Sequence, residues 1–129
     1  MPVVPHLESI CAVAEQSVTK DHFSFGLRDF LDGFYENPSA SKLADEPRYL
    51  AKIRNDEGYL DAYLAAIAEH LAGKYRLPVP AWCQNPQRSL KRPNFAYNTP
   101  EGQVFLLMES PTAFRVRNIF ISADALTRV

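Results

Sequence analysis

The sequence has no glycine-rich phosphate loop and no G-x-S-x-G around a serine, and its histidines, cysteines and carboxylates fall at no recognised metal-ligand spacing. Phosphate-loop nucleotide chemistry, elbow-type nucleophilic catalysis and the common zinc sites therefore lack their signatures. The three histidines, at positions 6, 22 and 70, lie far apart, and His70 reads as a helix-surface or hydrogen-bonded structural residue. Cysteine is scarce as well. Cys11 and Cys83 cannot make a disulfide framework in a domain of 129 residues, so both are expected to be reduced, unpaired and near the core, as in a cytoplasmic protein.

Long apolar runs are missing, and none approaches the roughly 18 residues that a membrane helix requires. The N-terminus has no basic region, and Glu8 interrupts the apolar residues that could form a signal-peptide core, which argues against secretion. An excess of one charge is missing too. A net charge of −1 argues against a dedicated nucleic-acid binder, which usually carries a basic excess. The balance hides an asymmetry: residues 1–64 hold 6 Lys and Arg against 11 Asp and Glu, whereas residues 65–129 hold 8 against 4. Such a split fits either complementarity inside the fold or a partner surface. No internal repeat, low-complexity segment or long linker divides the chain, so residues 1–129 read as one domain.

What is present is mostly helical periodicity. After Pro5, the residues Leu7, Ile10, Cys11, Ala14 and Val18 recur on one face. Asp21 can cap a second helix that buries Phe23, Leu27, Phe30, Leu31 and Phe34 and turns Arg28, Asp29, Asp32 and Glu36 outward, until Pro38 ends it. Pro47 can open a brief helix carrying Tyr49, Leu50 and Ile53. Asn55 then caps the strongest element, about residues 56–76, with Leu60, Tyr63, Leu64, Ile67, Leu71 and Tyr75 as its stripe. Thr99 and Pro100 suit a helix start, although the run "VFLLM" that follows suits a buried strand as well as a helix. Ser110 and Pro111 repeat the cap signal, "NIFI" is extended by propensity, and Ser122 can cap a closing turn. The expected fold is mainly α, a compact orthogonal bundle of about five to seven helices with a Pro-rich irregular segment at 77–98.

That segment, "LPVPAWCQNPQRSLKRPNF" at 77–95, is the oddest stretch, holding the single Trp and four of the ten Pro. Pro78 and Pro80 force extended backbone, and Trp82 can return its ring to the long helix, which is a scaffold role. On a short helix Arg88 would share a face with Lys91 and Arg92, a basic cluster beside Phe95 and Tyr97. A protein partner, a single-stranded nucleic acid and a small anion are the ligands such a cluster suits, in that order. Glu109 follows "FLLM" near Arg115 and Arg117. The two arginines lie about 160° apart on a helix, so one is expected to pair with an acid of this chain and the other to remain free. The acid pairs Asp29 with Asp32 and Asp45 with Glu46 read as solvated surface groups.

From "LDAYLAAIAEHLAGKYRLPVPAW" to "ESPTAFRVRNIFISADAL", roughly residues 57–129, the chain is similar to small uncharacterised bacterial helical proteins. The shared elements are an L-P-x-P-x-W turn (Leu77, Pro78, Pro80, Trp82) and an E-S-P-x-x-F-R-x-R-x-x-F element (Glu109, Ser110, Pro111, Phe114, Arg115, Arg117, Phe120). The resemblance implies loci of toxin–antitoxin type and brings no catalytic residue, cofactor or metal. The expectation is a non-catalytic protein-interaction protein, the antitoxin-like or regulatory member of a bacterial two-protein system. Its partner is a protein, such as a toxin, met by Arg88, Lys91, Arg92, Phe95, Tyr97, Arg115 and Arg117. The alternatives are a nucleic-acid-binding accessory protein using Arg88, Lys91 and Arg92, or a small enzyme with Glu109 and Arg115 or Arg117 in its site.

Overall fold

The computed structural model describes residues 6–20 and 23–126. Among these residues six α-helices and one two-stranded sheet follow in the order α1 (Ile10–Lys20), α2 (Phe23–Glu36), α3 (Ala51–Arg54), α4 (Tyr59–Lys74), β1 (Asn94–Phe95), α5 (Pro100–Glu109), α6 (Thr112–Arg115) and β2 (Ile119–Phe120). Short 3₁₀ turns occupy Ala40–Lys42, Ala81–Gln84 and Pro86–Arg88. The fold is mainly helical, as the periodicity predicts. Among the described residues no helix is long and apolar enough to cross a membrane.

Helix α4 is the centre of the core. Leu60, Leu64, Ile67 and Leu71 are buried as the stripe requires, but so are Ala62, Ala65, Ala66, Ala68 and Ala72. The alanines let neighbours approach from several sides, so α4 is enclosed rather than laid on a surface. Its surroundings include α3, α6 and both 3₁₀ turns of the Pro-rich segment. Helices α1 and α2 pack on each other, burying Ile10, Val13 and Ala14 against a set that includes Leu27, Phe30, Leu31 and Phe34. Gly26 permits this approach: a Cβ there would sit 2.6 Å from Gln16 Oε1. The buried face of α1 is set by Val13 rather than by Cys11 and Val18, which are half-buried.

Three expected helix signals act differently in the fold. Asn55, expected to cap α4, instead closes α3 with a left-handed backbone (φ 52°). The cap comes from Asp56, whose carboxylate accepts from the amides of Gly58 (3.0 Å) and Leu60 (3.1 Å). Pro47 opens no helix. It is buried in an irregular segment, and α3 begins at Ala51, where the Asp61 carboxylate accepts from the amides of Leu50 (2.6 Å) and Ala51 (3.2 Å). Ser110 caps the end of α5, its one hydroxyl proton shared between the carbonyls of Leu106 (2.6 Å) and Ile121 (2.9 Å), which ties α5 to the residue after β2. The helix expected after Ser110 and Pro111 does form, as α6, with Pro111 rather than Ser110 at its N-cap. The cap expected at Asp21 and the residue His22 lie outside the described residues.

At 100–109 the helix and strand alternatives resolve to helix, because Thr99 Oγ1 accepts from the Gly102 amide and Pro100 takes the first helical position. Of "NIFI", Ile119–Phe120 form β2, which runs parallel to β1 with Asn94 opposite Ile119 and Phe95 opposite Phe120, whereas Asn118 takes a left-handed turn (φ 66°). Cys11 and Cys83 are both free thiols. Burial pushes the Cys83 thiol up to about 11, so it behaves as a core hydrophobe at neutral pH.

Candidate functional site

The Pro-rich segment is more ordered than its composition suggests. After α4, Arg76 takes a left-handed turn and the chain doubles back through two 3₁₀ turns, the second opened by Asn85, whose side chain accepts from the Gln87 amide. Trp82 is half-buried against the core, and its Nε1 donates to the Leu43 carbonyl at 3.0 Å.

Arg88 does not join a surface cluster; its burial corrects that expectation. The 3₁₀ turn ends at Arg88, so no helix carries Lys91 and Arg92 onto its face. Its side chain is fully buried, with Nε and one terminal nitrogen donating to Glu46 Oε2 at 3.2 and 3.1 Å. The same fork donates to the Pro47 carbonyl (2.5 Å) and the Asp61 carbonyl (3.2 Å), while the guanidinium lies over the rings of Tyr49 (4.2 Å) and Trp82 (4.9 Å). Planar stacking with forked donation is what guanidinium geometry suits. Arg88 thus rivets the 46–50 segment to α4. The Glu46–Arg88 pair also spans the two oppositely charged halves of the sequence, so part of that asymmetry is complementarity inside the fold.

Arg117 is corrected in the same way. It is buried and donates to the carbonyls of Ala113 (2.7 Å) and Cys83 (2.7 Å) and to Glu69 Oε1 (2.8 Å). The expectation that one of the two late arginines pairs with an acid is met by Arg117 and Glu69. Arg115 is exposed, with its fork on the Ser110 carbonyl at 2.6 Å. Glu109 is exposed at the end of α5, and the acid that Arg117 holds is Glu69.

Lys91 and Arg92 are exposed, and with Lys52 from α3 they line an open groove of about 1160 Å3. Tyr49, Tyr59 and Leu90 supply apolar surface, and Asp56, Glu57 and Asp61 supply acids. Two of those acids are already engaged: Asp56 caps α4 and Asp61 caps α3. Burial raises the Asp61 carboxyl above its usual range, against the opposing pull of the Leu50 amide and Arg88. Among the described residues no ion pair reaches Lys52, Lys91 or Arg92. The groove therefore presents three solvated cations that hold no ion pair, beside the exposed acid Glu57.

The two aromatic candidates have different fates. Phe95 is half-buried and stacked on Phe120, with ring centroids 4.7 Å apart, which makes it part of the small sheet. Tyr97 is 46% exposed and leans on Phe105 of α5 at 6.5 Å. It leads to a surface that the periodicity did not reveal: Val104, Phe105, Leu107 and Met108 of α5 are 57%, 46%, 48% and 77% exposed, and only Leu106 of that run is buried. The signal was in the sequence as five apolar residues in a row, more than one side of a helix can bury. Among the described residues no group of three or more His, Cys, Asp or Glu is placed to hold a metal ion. Comparison with protein-family models, curated proteins and solved structures finds no match for this chain.

Proposed function

We propose that this protein is a cytoplasmic, non-catalytic interaction protein, the antitoxin-like or regulatory member of a bacterial two-protein system, and that it holds its partner through the groove beside Lys52, Lys91 and Arg92. The observation that carries this reading is the set of three exposed cations without an acidic partner along an open groove that also offers aromatic and aliphatic surface. Mixed grooves of this kind suit an acidic, partly apolar protein segment, where charge sets orientation and the apolar residues supply burial. Buried Arg88 is not available to strengthen a nucleic-acid site.

The test is co-expression with the product of the neighbouring gene. Wild-type chain is expected to co-elute with that product and to relieve any growth inhibition it causes. The variant Lys52→Ala/Lys91→Ala/Arg92→Ala is expected to keep its helical circular dichroism and lose both effects, since exposed charges contribute little to folding. Retention of a single-stranded oligonucleotide by the wild type alone, weakening steeply with salt and absent from the triple variant, would replace this reading with the nucleic-acid one.

A further inference from the structure

The outward face of α5 carries an inference independent of the groove. On a helix, Val104 and Met108 lie one turn apart along the middle of this face, with Phe105 and Leu107 on its flanks. Tyr97 extends it through its contact with Phe105. From their exposures, the five side chains present roughly 500 Å2 of mostly apolar surface, within the range of the largest patch on a monomer, which is often functional.

Along the face the ends are oppositely charged, with the exposed Glu109 at the Arg115 end set about 120° round the helix from the Val104–Met108 line. Glu101 is exposed in the first turn of α5, and Arg115 lies at the other end, its guanidinium held on the Ser110 carbonyl just past the last turn. Two copies of α5 laid antiparallel about a two-fold axis beside residue 106 set Val104 of each against Met108 of the other. The same register brings each Glu101 to the other copy's Ser110–Pro111 corner, where Arg115 sits. A face with an acid at one end, a base at the other and an uncharged middle is complementary to itself in this arrangement, which is the requirement of an isologous contact. Pairing two such faces buries about 1000 Å2, the lower bound for a specific interface.

The geometry points to a second copy of this chain as the occupant of the α5 face: the protein forms a two-fold dimer through antiparallel α5 helices, with reciprocal Glu101–Arg115 pairs at the ends. The dimer leaves the Lys91 and Arg92 groove to the foreign partner, so two binding events use two surfaces. Assembly through this face depends on concentration by mass action.

Sedimentation velocity of the purified chain alone, from low micromolar to near-millimolar concentration, tests this without reference to any partner. The expected result is a shift from one-chain to two-chain mass. Val104→Glu and Met108→Glu are expected to remain single chains throughout while keeping the wild-type circular dichroism. Glu101→Arg alone is expected to weaken assembly about tenfold or more, and Glu101→Arg/Arg115→Glu to restore it, because the pairs are reciprocal. Three outcomes would overturn the proposal: a wild type of one-chain mass at every concentration, a dimer indifferent to Met108→Glu, or charge reversal that the double variant fails to rescue. Loss of the partner in the groove variant with the dimer intact, or the reverse, separates the two surfaces.

Discussion

Helices α4 and α5 are both rich in apolar residues on every side, yet one is enclosed and the other is nearly bare. Along α4, ten of sixteen residues are buried; along α5, Leu106 is the one buried side chain in its ten. Composition alone does not make the difference, since each helix carries an unbroken apolar run, "AYLAAIA" in α4 and "VFLLM" in α5. What differs is the cover. Helix α4 is surrounded by segments that have little regular structure of their own and that buried polar contacts pin in place: Arg88 holds the 46–50 stretch, Arg117 holds the turn at Cys83, and Asp61 starts α3 over it. Among the described residues no comparable fork holds a segment over α5, and Arg115 bonds back to the corner that α5 itself leads into. An enclosed apolar helix is a core, and an uncovered one is a contact surface.

The largest expected effect tests the cover of α4. Arg88→Ala removes four hydrogen bonds and the stacked plane between Tyr49 and Trp82, and it leaves the Pro47 carbonyl without its donor. The expected loss is about 3–5 kcal/mol in urea unfolding, the range for breaking a buried pair. Glu46 can hydrate once freed, because its side chain is 38% exposed, which places the effect toward the lower end. Arg115→Ala, matched in chemistry but exposed, should change stability by no more than about 0.5 kcal/mol. Equal losses at Arg88 and Arg115 would erase the contrast between a rivet and a rim charge.

Next in size is the helix itself. Leu64 is fully buried in the middle of α4, so Leu64→Ala should cost about 2–5 kcal/mol, from lost burial plus the cavity left behind. A cost below about 1 kcal/mol would mean that the elements over α4 can collapse onto the gap, and that its cover is looser than the two arginine forks imply.

These contrasts mark what could be read from the sequence. The stripes of α2 and α4 were legible because periodicity is local, and the Thr99–Pro100 start was legible because the capped amide lies three residues from the cap. Asn55 and Asp56 were confused because either residue type can cap, and which one does depends on Asn55 taking a left-handed turn. Arg88 was misread for a different reason. The groups it bonds lie 27, 41 and 42 residues away, so neither the spacing to Lys91 nor the neighbouring aromatics could show that its charge is used inside. Lys91 and Arg92, from the same short stretch, do face outward, which shows that adjacency in a basic run decides little about exposure. The α5 face was legible as an apolar run but not as a surface, since the run does not say what lies over it.

The smallest expected effect is the one that separates a surface from a core. Met108 is 77% exposed, so Met108→Ser removes almost no burial within the chain and should shift the unfolding free energy of the monomer by no more than about 0.5 kcal/mol, against several for Leu64→Ala in α4. The measurement has to be made at low protein concentration. At high concentration any assembly through α5 adds stability to the wild type by mass action, and the substitution would then look more costly than it is to the fold. A wild-type stability that rises with protein concentration, beside a Met108→Ser stability that does not, is therefore the expected pair of results. If Met108→Ser costs as much as Leu64→Ala at every concentration, the face of α5 is covered by its own chain, and the contrast between the two helices fails.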